Sequence, residues 1–216
     1  MGADRDVKRP KGSSFEQDFG HTIRRPALQA LFWSYPICGF TSSGAIETHL
    51  LPFAAFCGFP PLQRATAYGV LSLVNLFGMI GSGWLSDRVN RPMLLALIYL
   101  LRAMTYIIQI SLPGTNIEVL FLFAILFGVV DYSTVPVTAS LAAGHIGIKV
   151  MAQAMGMISA GHALGSALAA YLAGYLLDTT GKYEMLWLGS IWLLAGASVL
   201  ALLVLVMRLA ALATQA

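Results

Sequence analysis

Charge is what this chain has least of. Asp, Glu, Lys and Arg together make up 11% of its 216 residues, where a soluble domain carries about 25%. With 57% hydrophobic residues and a mean hydropathy of +0.74, the composition excludes an ordinary soluble domain and indicates an integral membrane protein. Cysteine is equally sparse. Cys38 and Cys57 both fall in or beside apolar runs, which excludes a disulfide scaffold and reads as two small buried hydrophobes. The four histidines, His21, His49, His145 and His162, have no ligand spacing, so neither a metal nor a cofactor is expected. There is no Gly-rich phosphate loop to drive work with ATP. No nucleophile elbow, HExxH pair or other nucleophile–base pair points to an enzyme. The net charge of +3 is too small to signal a nucleic-acid partner. The polar first segment lacks an apolar run leading to a small-residue cleavage site, which excludes a secretory signal peptide.

What is present is a series of apolar runs. A bilayer core takes about 20 apolar residues per helix, and charge-poor stretches lie at 27–56, 65–86, 93–112, 119–141, 150–177 and 185–207. These predict six spans. Gly58-Phe59-Pro60-Pro61, Asp87 to Pro92, Pro113-Gly114-Thr115-Asn116, Gly144 to Lys149 and Asp178 to Glu184 separate them. Six basic residues lie in the N-terminal tail, two (Arg88, Arg91) in the second loop, Lys149 in the fourth and Arg208 after the last span. The opposite side holds Arg64 and Lys182. By the positive-inside rule both termini are cytosolic. The expected architecture is all-α: a basic cytosolic tail over residues 1–26, a six-helix bundle over 27–208 and a C-terminal tail over 209–216. The tail reads as solvated, with a lipid-headgroup contact as the alternative.

Ionisable groups at membrane depth cost about 2.5–3.5 kcal/mol each on insertion scales, so they need a reason to be there. Three stand out. Asp131 shares a helical face with Thr134 and Thr138. Pro136 cannot donate to the Tyr132 carbonyl, which predicts a kink and a free acceptor beside that face. Asp131 reads either as a proton- or cation-binding group or as half of a structural ion pair. Arg102 lies about 14 Å along its helix from Met93 at 1.5 Å per residue, with Tyr99, Tyr106 and Gln109 on its face. It reads as an anion site, as the partner of Asp131, or as a side chain that snorkels or pairs structurally with a neighbouring helix. Glu47 lies toward the outer part of a first span interrupted by Pro36, Gly39, Gly44 and Pro52. It is either a proton-entry or gating group, or a helix-end residue reaching water. Two quieter stripes follow: Ser72, Asn75, Met79 and Ser82 on span two, and Ser159, His162 and Ser166 on span five. The latter runs beside Gly161, Gly165 and Ala169, a small-residue packing seam. Asn75 and His162 are substrate candidates against a background of interhelical packing.

Gly83-Trp84-Leu85-Ser86-Asp87-Arg88-Val89-Asn90-Arg91, between spans two and three, resembles the short cytoplasmic-loop signature of the major facilitator superfamily, roughly Gly-x-x-x-Asp-Arg-x-Gly-Arg-Arg. Gly83, Asp87, Arg88 and Arg91 match. Asn90 stands for a glycine, a substitution that tolerates a left-handed turn. The segments Gly39 to Thr41, Glu47 to Pro52, Asp131 to Pro136 and Ala173 to Asp178 are similar to the C-terminal half of bacterial facilitators near the monocarboxylate-transporter-like and oxalate/formate-antiporter-like groups.

The resemblance implies one six-helix half of a secondary transporter of the bacterial inner membrane. Such a transporter moves a small solute, with an organic anion as the suggested class, by alternating access. It implies gating roles for Gly83, Asp87, Arg88 and Arg91, and partners in the bilayer, a small-molecule substrate and a second six-helix half from another chain or a homodimer. The competing reading is a non-transporting membrane subunit or an inactive truncated fragment. If the transporter reading holds, Asp131→Asn abolishes gradient-driven uptake in the complete transporter without preventing membrane insertion. Undiminished uptake by that variant would refute it.

Overall fold

The computed structural model describes residues 26–145 and 148–213, together with residues 20 and 24. Most of the basic tail over 1–26 and the end of the C-terminal tail therefore lie outside the described residues. Apart from short connections, the described stretches are helical: α1 (Pro26–Gly39), a π-helical stretch (Phe40–Glu47), α2 (Thr48–Phe56), α3 (Pro61–Ser86), α4 (Arg91–Ser111), α5 (Ile117–Val130), α6 (Thr134–His145), α7 (Ile148–Thr180) and α8 (Glu184–Ala213). Among the described residues, five runs are each long and apolar enough to cross a membrane: α3, α4, α5 with α6, α7 and α8. The segment expected as the first span is helical throughout but split into α1, the π stretch and α2.

That split has local causes. Pro36 contributes no N–H to the ladder, and Thr41 and Ser42 turn their hydroxyls back onto the carbonyls of Ile37 and Cys38, both at 2.8 Å. The ladder then widens by a residue to i→i+5 bonding. Thr48 closes it by directing both its N–H and its hydroxyl at the Ser43 carbonyl. Gly58, at φ 88°, ends α2. Phe59 N–H reaches Ala54 O at 3.0 Å and Gly58 N–H reaches Ala55 O at 2.9 Å, the paired bonds of a Schellman cap. Pro61 then opens α3 at its first position.

With α1, the π stretch and α2 taken together as a first rod, and α5 with α6 as another, the described helices form six rods that pack mainly in three pairs. The first rod lies on α7, α3 on α5, and α4 on α8. Small residues set two of these contacts, as the span-five seam predicts. A Cβ added at Gly165 would lie 1.9 Å from the Pro36 carbonyl oxygen, one at Gly39 2.0 Å from that of His162, and one at Gly44 2.3 Å from that of Ser166. Gly78 makes the same approach to Val129 on α5. In a bilayer, where the tails are as apolar as leucine, such close backbone packing replaces the hydrophobic effect as the drive for helix association.

Two local expectations are overturned. Asn90 does not adopt a left-handed turn: its φ is −65°, and its side chain caps α4 by accepting from Met93 N–H at 3.2 Å. The gain from capping a helix outweighs the glycine-like turn. The Tyr132 carbonyl is not a free acceptor either, because Val135 N–H moves onto it at 3.0 Å. The helix breaks at residues 131–133, before Pro136, which sits in the first turn of α6 where its missing N–H is harmless.

Gly165→Leu is expected to cost about 1–3 kcal/mol by overpacking the seam. Gly156→Ala, on the same helix with open space around its Cα, is expected to be neutral or slightly stabilising. Reversible unfolding in mixed detergent micelles checks both.

Candidate functional site

The helix break at 131–133 determines where the polar groups meet. When Val135 N–H moves to the Tyr132 carbonyl, the Asp131 carbonyl loses its usual i+4 donor. Arg102, from α4, takes it: one Nη2 donates to the Asp131 carbonyl and to the Val130 carbonyl, the latter at 2.9 Å. The same Nη2 lies 4.0 Å from the Asp131 carboxylate, and neither side chain has any exposure. The other terminal nitrogen, Nη1, donates to Cys38 Sγ at 3.2 Å. Cys38 in turn lies 3.4 Å from the Thr134 hydroxyl. Arg102 therefore does not snorkel. Of its three readings, the pairing with Asp131 is the one the geometry realises. Tyr99, Tyr106 and Gln109 are buried on the same face as expected, and Tyr106 donates its hydroxyl to the Thr41 carbonyl in the π stretch. Cys38 is buried, as expected, and also serves as an acceptor for Arg102.

Asn75 closes the cluster from α3. Its amide nitrogen donates to Asp131 Oδ2 at 3.2 Å, and its carbonyl accepts from Tyr132 N–H at 2.9 Å. On the far side of Asn75 lies an open cavity of about 260 Å³, walled by Glu47, Tyr68, Ser72, Asn75, Met79 and Tyr132 together with Leu71 and Leu76. Glu47, half-buried at the end of the π stretch, accepts from the Tyr132 hydroxyl at 2.5 Å. The expected stripe on α3 thus divides: Ser72, Asn75 and Met79 face this cavity, while Ser82 faces an apolar groove beside α4. Tyr68 and Tyr132 join the wall without having been expected there. Asp131 and Thr134 are fully buried and stay behind the wall.

His162, half-buried on α7, faces α1, with its ring 5.7 Å from that of Tyr35. It lies away from the cavity. His49 turns to the opposite side from Glu47. It lies within hydrogen-bonding distance of the Ala170 carbonyl at 3.1 Å and of the Tyr183 hydroxyl at 3.5 Å.

The loop string forms a separate cluster at one end of the bundle. Asp87 and Arg91 pair at 3.8 Å. Arg88 lies over the Trp84 ring at 3.8 Å and donates to the Trp84 carbonyl at 3.0 Å. Arg91 ties the loop to two helices by donating to the carbonyl of Ser86 at 3.0 Å and to that of Ser140 on α6 at 3.4 Å. Gly83 faces Pro136 on α6, where an added Cβ would make an ordinary contact at 3.5 Å.

The sequence model of the Major Facilitator Superfamily matches residues 83–214, which include this string. The chain belongs to that superfamily. Its relatives include Monocarboxylate transporter 13 of Rattus norvegicus, 29% identical over 154 residues, or 70% of this chain and 36% of the relative. Monocarboxylate transporter 12 of Xenopus laevis is 25% identical over 177 residues, 78% of this chain and 37% of the relative. The uncharacterized MFS-type transporter YcxA of Bacillus subtilis is 26% identical over 166 residues, 74% of this chain and 39% of the relative. The chain thus spans well under half the length of the curated relatives it matches. It is a multi-pass membrane protein of a transporter superfamily.

Removing one member of a buried ion pair leaves the other charged and unpaired, at a cost of about 3–5 kcal/mol. Asp131→Leu alone is expected to lose stability on that scale. Adding Arg102→Met is expected to recover most of it, with a double-mutant cycle on the folded chain in micelles as the measurement.

Proposed function

We propose that this chain forms the C-terminal six-helix half of a secondary transporter, which moves a small solute by alternating access against a second half. The observation that carries the reading is the cavity beside Glu47 and Asn75. It lies where two interrupted helices meet, the arrangement by which transporters free polar groups at membrane depth, and it is open on the side of α3. The second half would cover that opening. Only 22% of the apolar windows of α3 and α7 is buried, against 50% or more for α4 and for α5 with α6. The outward residues of α3 and α7 also include Gly69, Ser72, Gly81, Gln153, Gly156 and Ser159. Small and polar residues favour a protein neighbour over lipid tails.

In this reading residues 27–208 are the transporting bundle, flanked by cytosolic segments over 1–26 and 209–216 in a bacterial inner membrane. Glu47, Asn75 and Thr134 with Asp131 and Arg102 belong to the solute and coupling region. His162 has the weakest support because it lies off the cavity. Gly83, Asp87, Arg88 and Arg91 form a gate hinge: an exposed Asp–Arg pair at a helix end is cheap to break and remake. An organic anion as the solute draws support from the names of the monocarboxylate-transporter relatives. Arg102 lends it none, since its guanidinium is enclosed and already bonded.

Native mass measurement of the chain extracted from its own membrane into nanodiscs tests the pairing. A homodimer or a stoichiometric chain with six further spans is expected. A lone monomer with no uptake after reconstitution would favour the non-transporting subunit or inactive fragment instead.

A further inference from the structure

The hydrogen-bond inventory of the cavity wall is lopsided. The Tyr132 hydroxyl gives its proton to Glu47 Oε1 at 2.5 Å. The Ser72 hydroxyl gives its proton to the Tyr68 carbonyl at 3.0 Å. Asn75 commits its carbonyl to Tyr132 N–H and one amide proton to Asp131. What faces the open volume is therefore mostly acceptor: the second Glu47 oxygen and the lone pairs of the Ser72 and Tyr132 hydroxyls. The Tyr68 phenol can act either way, and one Asn75 N–H remains as a donor. The cavity wall contains no cation. Among the described residues, Arg102 is the one Lys or Arg at mid-span depth. It is sealed behind Asn75, with both terminal nitrogens bonded to Val130, Asp131 and Cys38.

We propose that the Glu47 cavity binds the cationic, N–H-bearing end of a small solute, such as a primary ammonium or guanidinium group, and that this half of the protein does not hold a carboxylate. The proposal rests on the transporter reading above and replaces its organic-anion class with a cationic or zwitterionic one. A carboxylate placed here would meet Glu47 with at most two donors to offset the repulsion. An ammonium would meet a carboxylate already oriented by Tyr132, in a charge-assisted bond, with hydroxyl oxygens on either side. A cavity of about 260 Å³ suits a head group with a few attached carbons. Any carboxylate on the same solute would have to be held by the opposite half.

The test uses an isosteric pair, propylammonium chloride and sodium propionate, titrated against the full chain in nanodiscs with whatever chains co-purify. Saturation-transfer NMR gives the binding isotherm, and native mass spectrometry of the same sample gives its assembly state. Propylammonium is expected to bind in the millimolar range, the scale for so few heavy atoms, and propionate at least tenfold more weakly. Glu47→Gln is expected to weaken propylammonium at least tenfold. Tyr132→Phe, which keeps the ring and removes the hydroxyl, should weaken it several-fold while leaving the assembly unchanged. Propionate binding as tightly as propylammonium, or propylammonium binding that survives Glu47→Gln, would overturn the charge class and leave the transporter reading standing. A paired assembly that binds neither solute would overturn the site. A lone monomer that binds neither would overturn both.

Discussion

A guanidinium with no exposure to water holds the centre of this bundle, and most of the irregular structure answers to it. An arginine at that depth is tolerated only if most of its donors are met, and two of its three acceptors are main-chain carbonyls that a regular helix would not offer. The break at 131–133 turns the Val130 and Asp131 carbonyls out of their ladder. The first rod brings Cys38 just before its π stretch. Asn75 then fixes both the carboxylate of Asp131 and the main chain after it. Straightening either interrupted helix would remove acceptors from Arg102, so the irregularities and the buried charge sustain one another.

The arrangement separates two polar layers with different freedom. The inner layer of Arg102, Asp131, Cys38 and Thr134 is enclosed and cross-linked by internal bonds, with Arg102 Nε and Asp131 Oδ1 left without a hydrogen-bond partner. The outer layer of Glu47, Tyr132, Tyr68 and Ser72 borders open volume. Asn75 belongs to both and links the cavity wall directly to the ion pair. The inner layer has the properties of a fixed electrostatic frame, and the outer layer those of a surface that meets solute.

The sequence made the helices visible because each span is long, apolar and bounded by Pro, Gly or charge. It also showed the packing seam, since Gly161, Gly165 and Ala169 repeat at helical spacing, and the loop string, whose residues do lie together. Other features depended on competition that a linear pattern does not record. Asn90 could cap a helix or take a left-handed turn, and capping won because Met93 N–H had no other partner. Pro136 announced a missing bond, but the ladder shifted by one residue and moved the orphan carbonyl to Asp131. Tyr68, Tyr132 and Cys38 looked like ordinary apolar-run residues. Only the third dimension places them against Glu47 and Arg102, since the pairs concerned lie on different helices. The stripe on α3 came out divided for a related reason: the face it shares is wider than the cavity it borders.

The glycine seam between the first rod and α7 has a mechanical consequence. Two helices whose main chains touch, with Pro36 against Gly165 and His162 against Gly39, have almost no side chains between them to change rotamer or slide. Such a joint behaves as a rivet. Bending of the first rod is then concentrated where the riveting ends, in the last turn of the π stretch and in α2, and this is the segment that carries Glu47.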